Sequence, residues 1–442
     1  MRLRTRYAAL AACLLVASAI AGCEGGRERP PAVAVRVLHA APERDTLDFL
    51  REQRNEAQLE FRQTSGPLVF DADQYDFNIR TLAPSGNSSV LIGSFSRELV
   101  PDRDYFFAIT EADGELTPVV LEKERFSGPS AEVTAVHAAP SLGRVSLYVE
   151  PDGVAPSSVT PIGTIGFGET VEPLTREEGS YRLSVTEAGN PDNVLMTSGV
   201  IALQEGLTYI FAVMEPGADS VAPMTVAFIG PESSVLFDES VQSTLTVINA
   251  AADGAARDVF LDDDFDTPLV AGAPPLARVA DLPVAGGARD LTVTPAGNPG
   301  AIESELTSTY IRNRRHIALI GGDTGDLEVA FGVDDRRPIA GHARIMFLNA
   351  ATQLDQLEYF LVEAGTDLSN LASTIVLSAP RMSSRVSFPP GDYDLIAREL
   401  DGEIVGGPTP VTVAAGGVYS VLTIDGEVGG TVDFVFFEDF VE

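Results

Sequence analysis

The chain has 442 residues, with 64 Asp and Glu against 30 Lys and Arg, and its formal charge of −34 disfavours nucleic acid and anionic headgroups as partners. Solubility, or a salty exterior that screens charge, accounts for the acidity without a cationic partner. With two cysteines, four histidines and no tryptophan, it lacks the composition of a disulfide framework, a zinc fold or a tryptophan-lined sugar platform.

Three arginines, Arg2, Arg4 and Arg6, precede an apolar run over residues 8–20 that ends in Ile20-Ala21-Gly22-Cys23. The run is shorter than the roughly 20 residues a membrane helix requires, and with its basic start and small residues at the end it reads as an export leader. The tetrapeptide resembles a bacterial lipobox. That resemblance implies a signal peptide over 1–22, cleavage before Cys23, lipidation of Cys23 and attachment to a membrane through that lipid. Glu24 stands where aspartate retains many Gram-negative lipoproteins at the inner membrane, so the same resemblance implies the outer membrane. Residues 23–32 hold the lipidated cysteine and a tether too rich in Gly, Pro and charge to pack. Cys13 falls in the removed leader, so the mature chain forms no internal disulfide and must be stabilised by packing.

The length exceeds the usual ~100–200 residues of one domain, and an internal repeat accounts for it. Val35-Arg36-Val37-Leu38-His39-Ala40-Ala41-Pro42 recurs as Val133-Thr134-Ala135-Val136-His137-Ala138-Ala139-Pro140 and as Leu245-Thr246-Val247-Ile248-Asn249-Ala250-Ala251-Ala252. The fourth copy is Arg344-Ile345-Met346-Phe347-Leu348-Asn349-Ala350-Ala351. Successive His/Asn positions are 98, 112 and 100 residues apart, so the unit is domain-sized. The expected units are 33–128, 129–235, 242–337 and 340–442.

Each opening strand leads through a turn to an alternating stretch such as Val145-Ser146-Leu147-Tyr148-Val149, and the two read as a hairpin. Midway through the units a glycine-led turn enters another strand, at Gly179-Ser180-Tyr181, Gly287-Ala288-Arg289 and Gly391-Asp392-Tyr393, with Gln74-Tyr75 in the first unit. Strands at residues 105–109, 209–213, 316–320 and 419–424 follow, and then closing strands such as 224–229 and 432–437. Residues 50–61 have the composition of a helix, while their place in the unit suits a hairpin. About seven short strands per unit, without a sustained helical period, predict an all-β chain of four tandem antiparallel β-sandwiches.

Val136-His137-Ala138-Ala139-Pro140 with Val145-Ser146-Leu147-Tyr148-Val149, and then Phe167-Gly168-Glu169 with Gly179-Ser180-Tyr181-Arg182-Leu183, resemble the DUF4397 family of exported bacterial domains. The resemblance extends as four copies over nearly all of the mature chain. It implies an immunoglobulin-like or related β-sandwich, often in envelope proteins, with no established activity. In copies three and four Asn249 and Asn349 replace His, and Ala252 and Thr352 replace Pro, which argues against a shared role that needs imidazole.

A metal site needs three or four converging ligands. One histidine at each of two domain openings does not supply them, and His39 and His137 are expected to hydrogen-bond a turn, as Asn can do in the other two copies. Asp262, Asp264 and Asp266 form a weak calcium candidate. Thr267 stands where an EF-hand loop needs glycine and Ala273 where it needs glutamate, so a solvated turn is the simpler reading. No cofactor motif is present, since Gly166-Phe167-Gly168 lacks the third glycine of a dinucleotide loop and precedes Glu169. No G-x-S-x-G elbow occurs and no carboxylate pair stands out.

These features predict a non-enzymatic envelope lipoprotein acting as a spacer or protein-interaction module, with a surface carbohydrate- or ligand-binding adhesion protein as the alternative. The expected partners are a membrane, through the lipid on Cys23, and an envelope protein or surface ligand. Turns such as Gly189-Asn190-Pro191-Asp192 and Gly297-Asn298-Pro299-Gly300 are candidate contacts.

Overall fold

In the computed structural model, which describes residues 31–83, 89–400 and 402–440, regular structure is all strand apart from one 3-10 turn, Pro156–Ser158. The leader, the lipobox with Cys23 and most of the tether lie outside the described residues.

The first unit contains β1 (Ala32–His39), β2 (Leu47–Arg51), β3 (Arg54–Leu59), β4 (Leu68–Asp71), β5 (Gln74–Leu82), β6 (Ser89–Glu98), β7 (Arg103–Ala112) and β8 (Glu115–Glu124). One sheet has the order β4-β1-β7-β8 and the other β3-β2-β5-β6. Val33, Val35 and Val37 of β1 and Phe107 of β7 face Phe49 and Phe77 of the second sheet across a buried core. The sandwich is antiparallel except at one place: β1 runs parallel to β7, with Val35 opposite Tyr105 and Val37 opposite Phe107. Eight strands are present where about seven were expected. The short edge strands, four residues in β4 and three in its counterpart Leu174–Arg176, leave little trace in a pattern of alternation.

The structure overturns one local expectation and decides another that was open. β1 and β2 do not form a hairpin, because they belong to opposite sheets. Their inner faces line opposite walls of one core, and the Ala40-Ala41-Pro42 turn carries the chain between those walls. Residues 50–61, open between helix and hairpin, form the β2–β3 hairpin. Glu52 takes the positive φ of its tight turn, and Leu47, Phe49 and Leu59 are buried where a helix would have scattered them.

The same plan recurs three times. Ala131–His137 lies parallel to Thr208–Met214, Ser243–Asn249 to Arg315–Asp323, and Ala343–Asn349 to Val418–Asp425. Each sandwich has its own inner core.

The outer faces of the sheets that hold these parallel pairs are apolar too. Leu38, Phe106, Ala108 and Leu121 of unit 1 pack against Val136, Ile210, Ala212 and Ile229 of unit 2. Ile248, Ile317 and Leu319 of unit 3 pack likewise against Met346, Leu348 and Leu422 of unit 4. The four units thus associate as two face-to-face pairs.

Polar contacts join the pairs. Asp219 of unit 2 receives Arg62 of unit 1 at 2.7 Å and Arg314 of unit 3 at 2.8 Å. The backbone N–H of Ala340 donates to the carbonyl of Glu43 at 2.8 Å, and Ser387 donates to Asp45 at 3.0 Å. Repeats that the sequence shows only as tandem are closed into one body.

Candidate functional site

The repeated His/Asn position stands at the corner where the chain leaves one sheet for the other. The N–H of Ala41 donates to Nδ1 of His39 at 3.3 Å, and Nε2 of His39 donates to the carbonyl of Asp45 at 2.8 Å. His137 repeats this with Ala139 and Gly143. In unit 3, Oδ1 of Asn249 accepts from Ala251, and its Nδ2 donates to the carbonyls of Ala255 and Ala273. Asn349 accepts from Ala351 and donates to Leu377. All four side chains are fully buried. Both residue types offer one acceptor and one donor at the right reach, provided the imidazole is neutral. Burial favours that state by holding His39 down to about 4, against a backbone bond that pulls the other way. His137 is lowered for the same reason. These residues close a corner and are separated by whole domains.

The glycine-led strand entry has an equally local cause. The hydroxyls of Tyr75, Tyr181 and Tyr393 donate to carbonyls four residues back, at Asp71, Glu177 and Pro389. In unit 3, Nε of Arg289 reaches Ala285 in the same way. A second tyrosine accepts an N–H from five residues back: Val100 to Tyr105, Gln204 to Tyr209, and Ala414 to Tyr419. His316 takes this place in unit 3, with Nε2 accepting from Ile311 at 3.1 Å, and burial lowers it to about 4. His342 bonds the carbonyl of Ala340 within its own turn.

Asp262, Asp264 and Asp266 do not converge. Asp262 is engaged by Arg289 at 2.6 Å and by the N–H of Asp290. The loop is organised by Phe265, which packs on Phe260 with ring centroids 5.3 Å apart. Among the described residues, no group of three or more His, Cys, Asp or Glu is placed to hold a metal ion. Glu169 bonds the N–H of Gly166 and Arg144, so the Gly166-Phe167-Gly168 turn is closed on itself. The turns at Gly189 and Gly297 sit at exposed hairpin tips of their own units.

A concavity lies at one end of the seam between units 1 and 2. A chamber of about 240 Å³ is walled by Phe106, Leu121, Leu207, Ile210 and Ile229, with Ala34 and Arg36 of β1 at its side. A second hollow, about 410 Å³, adjoins it through Arg36, Pro67 and Pro231 and is lined by Thr64, Ser65, Ser233 and Ser234. Lys123, the only lysine in the chain, also borders the chamber. It crosses the seam to Glu132 at 2.7 Å, and Thr208 donates to the same carboxylate at 2.9 Å. By sequence Lys123 is only an oddity of composition, and Arg36 is not singled out. The available signal was the polar Arg36 on a strand whose outward neighbours on β7, Phe106 and Ala108, are apolar.

A further polar group is buried beneath the strands of unit 2. Glu150 accepts from Ser184 through one carboxylate oxygen, and the other oxygen is buried without a partner. Burial raises this carboxyl to about 6.

No helix among the described residues is long and apolar enough to cross a membrane. No curated protein matches the chain. Among solved structures, the Bacillus anthracis TIE protein is 10% identical, with a TM-score of 0.16. The alignment covers 86% of this chain and 65% of that one, so the chain spans less than two thirds of its length. At that TM-score the likeness bears on neither fold detail nor function. The family model DUF4397, described as a domain of unknown function, matches residues 33–148. That stretch runs from β1 through the whole first sandwich into the second strand of the next, and it includes both corner histidines. Residues 33–148 therefore carry a DUF4397 domain.

Proposed function

We propose that the protein is a non-enzymatic module of the cell envelope, tethered through lipid on Cys23 to the outer membrane, as the lipobox resemblance implies, and offering its four sandwiches to a partner as one rigid interaction body. The observation that carries this reading is the use of the sheet faces. The outer faces that could have served as separate apolar docking sites are spent on one another in two seams. The chain's net charge of −34 suits the resulting body to remain soluble as a presenting surface. Of the two forms of the reading, spacer and interaction module, the closed arrangement favours the second, since face-to-face pairing shortens the reach of the chain.

Two measurements test this. Growth with an alkyne-labelled palmitate should label the wild-type protein and leave Cys23→Ala unlabelled and absent from the membrane fraction. Small-angle scattering of the chain should give a radius of gyration near the ~22 Å expected for one compact body of this size. A value on the order of 40 Å, as for four domains in a row, would reject the closed body, and unlabelled wild-type protein would reject the anchor.

A further inference from the structure

We propose that the double hollow at the seam of units 1 and 2 is a binding site for a small amphipathic anion, an alkyl or aryl chain ending in a carboxylate. This goes beyond the interaction role and does not depend on it. The two compartments differ in chemistry and share a wall. The chamber is mostly apolar and large enough to take a short hydrocarbon chain. The neighbouring hollow is lined by hydroxyls, and Oγ1 of Thr64 there is buried with no hydrogen-bond partner.

Arg36 stands on the shared wall. Its guanidinium donates through Nη1 to the carbonyl of Gly230, and this is its one hydrogen bond among the described residues, with no ion pair. A half-buried guanidinium with free donors carries an unrecovered desolvation cost, and a carboxylate met through two parallel N–H···O bonds would offset it. Burial lowers the pKa of Arg36, with the charge of Asp104 opposing. The other charges nearby are already matched. Lys123 is held by Glu132 at 2.7 Å, and Asp104 is turned to Arg125 at 3.4 Å and Lys123 at 4.0 Å. The geometry therefore places the head group at Arg36, facing the hydroxyls, and the tail between Phe106, Leu207 and Ile229. A cationic head group would meet Arg36 unfavourably.

The test is calorimetric titration of the chain from residue 24 onward, which keeps every described strand, with octanoate, octanol and octyltrimethylammonium. Octanoate should bind one per chain and at least about ten-fold tighter than octanol, the difference expected of one charge-assisted contact. The ammonium compound should not bind. Arg36→Gln should remove the preference for octanoate over octanol, and Ala34→Phe, which fills the chamber from β1, should abolish binding of both. Thermal melts like that of the wild type establish that each variant is folded. Equal affinity for octanoate and octanol in the wild type, octanoate binding that survives both substitutions, or no binding at millimolar ligand would each overturn the proposal.

Discussion

Two buried groups give the protein opposite responses to pH, and each can be isolated by a single substitution. His39 is held down to about 4 in the fold against an ordinary value near 6.5. Its neutral form contributes full stability above about pH 6.5, and as the pH falls toward 4 about 3 kcal/mol of it is lost, because the unfolded chain binds the proton first. Asn249 and Asn349 show that an amide can make the corner bonds. His39→Asn should therefore fold, cost about 1 kcal/mol at pH 8 through the lost ring contact with Phe61, and flatten the decline between pH 6.5 and 4 in urea titrations. Glu150 acts in the other direction. Its folded value, about 6, lies above the unfolded one, so its contribution is fully present below about pH 4.5 and is lost as pH rises through 6. Glu150→Gln should raise stability at pH 8 by about 1 kcal/mol, partial screening allowed for, and leave it unchanged at pH 4. A substitution that destabilised equally at both pH values would show that the carboxylate is not buried uncompensated.

At the scale of strands, the informative pattern was the run that fails to alternate. Tyr105-Phe106-Phe107-Ala108-Ile109 and Tyr209-Ile210-Phe211-Ala212-Val213 are buried on both faces, as in the core strands of parallel sheets. One face belongs to the unit's own core and the other to the seam. Ala212→Asp would place an unpaired charge in that seam and should cost about 3 kcal/mol or more. Ala202→Asp, on an exposed strand position of the same unit, should stay within about 0.5 kcal/mol. Equal midpoints for the two variants in chemical denaturation would contradict a buried seam. The strands were legible because alternation depends on neighbours within about ten residues, the four-fold repeat because its opening phrase recurs, and the corner histidines because Asn substitutes for them. The β1 to β2 connection was not, since a turn rich in Ala and Pro serves a hairpin and a sheet crossing alike. The seam hollow was illegible for a further reason: Arg36 and Gly230 are 194 residues apart and meet only after two domains have paired.

The whole molecule is held closed by carboxylates that answer to more than one unit. Asp334 lies between Arg385 at 2.5 Å and Arg336 at 2.6 Å. Burial works against its ionisation, but the two guanidiniums outweigh burial and keep it below the ordinary carboxylate range. Arg385, of unit 4, also reaches Asp439 at 2.8 Å, so its guanidinium ties Asp334 at the end of unit 3 to the last strand of unit 4. Asp219 is the equivalent clasp between the two pairs, 1% exposed and shared by Arg62 and Arg314. Removing one partner from a buried charge cluster costs far more than the intact cluster contributes, about 3–5 kcal/mol, because the remaining charges are left dry and unmatched. In Asp219→Asn two guanidiniums from units 1 and 3 would confront each other without a counterion. The strain falls on the contact between pairs, while each sandwich keeps its core and each pair its apolar seam. The expected result is a larger radius of gyration and new protease sensitivity near residues 214–222, with far-ultraviolet circular dichroism unchanged. Arg381→Gln removes an ion pair exposed on both sides, Arg381 with Glu328 at 3.1 Å, and should alter neither measurement. If Asp219→Asn kept the wild-type radius, the clasp would be incidental and the other polar contacts between the pairs, such as Ala340 with Glu43 and Ser387 with Asp45, would have to hold them together.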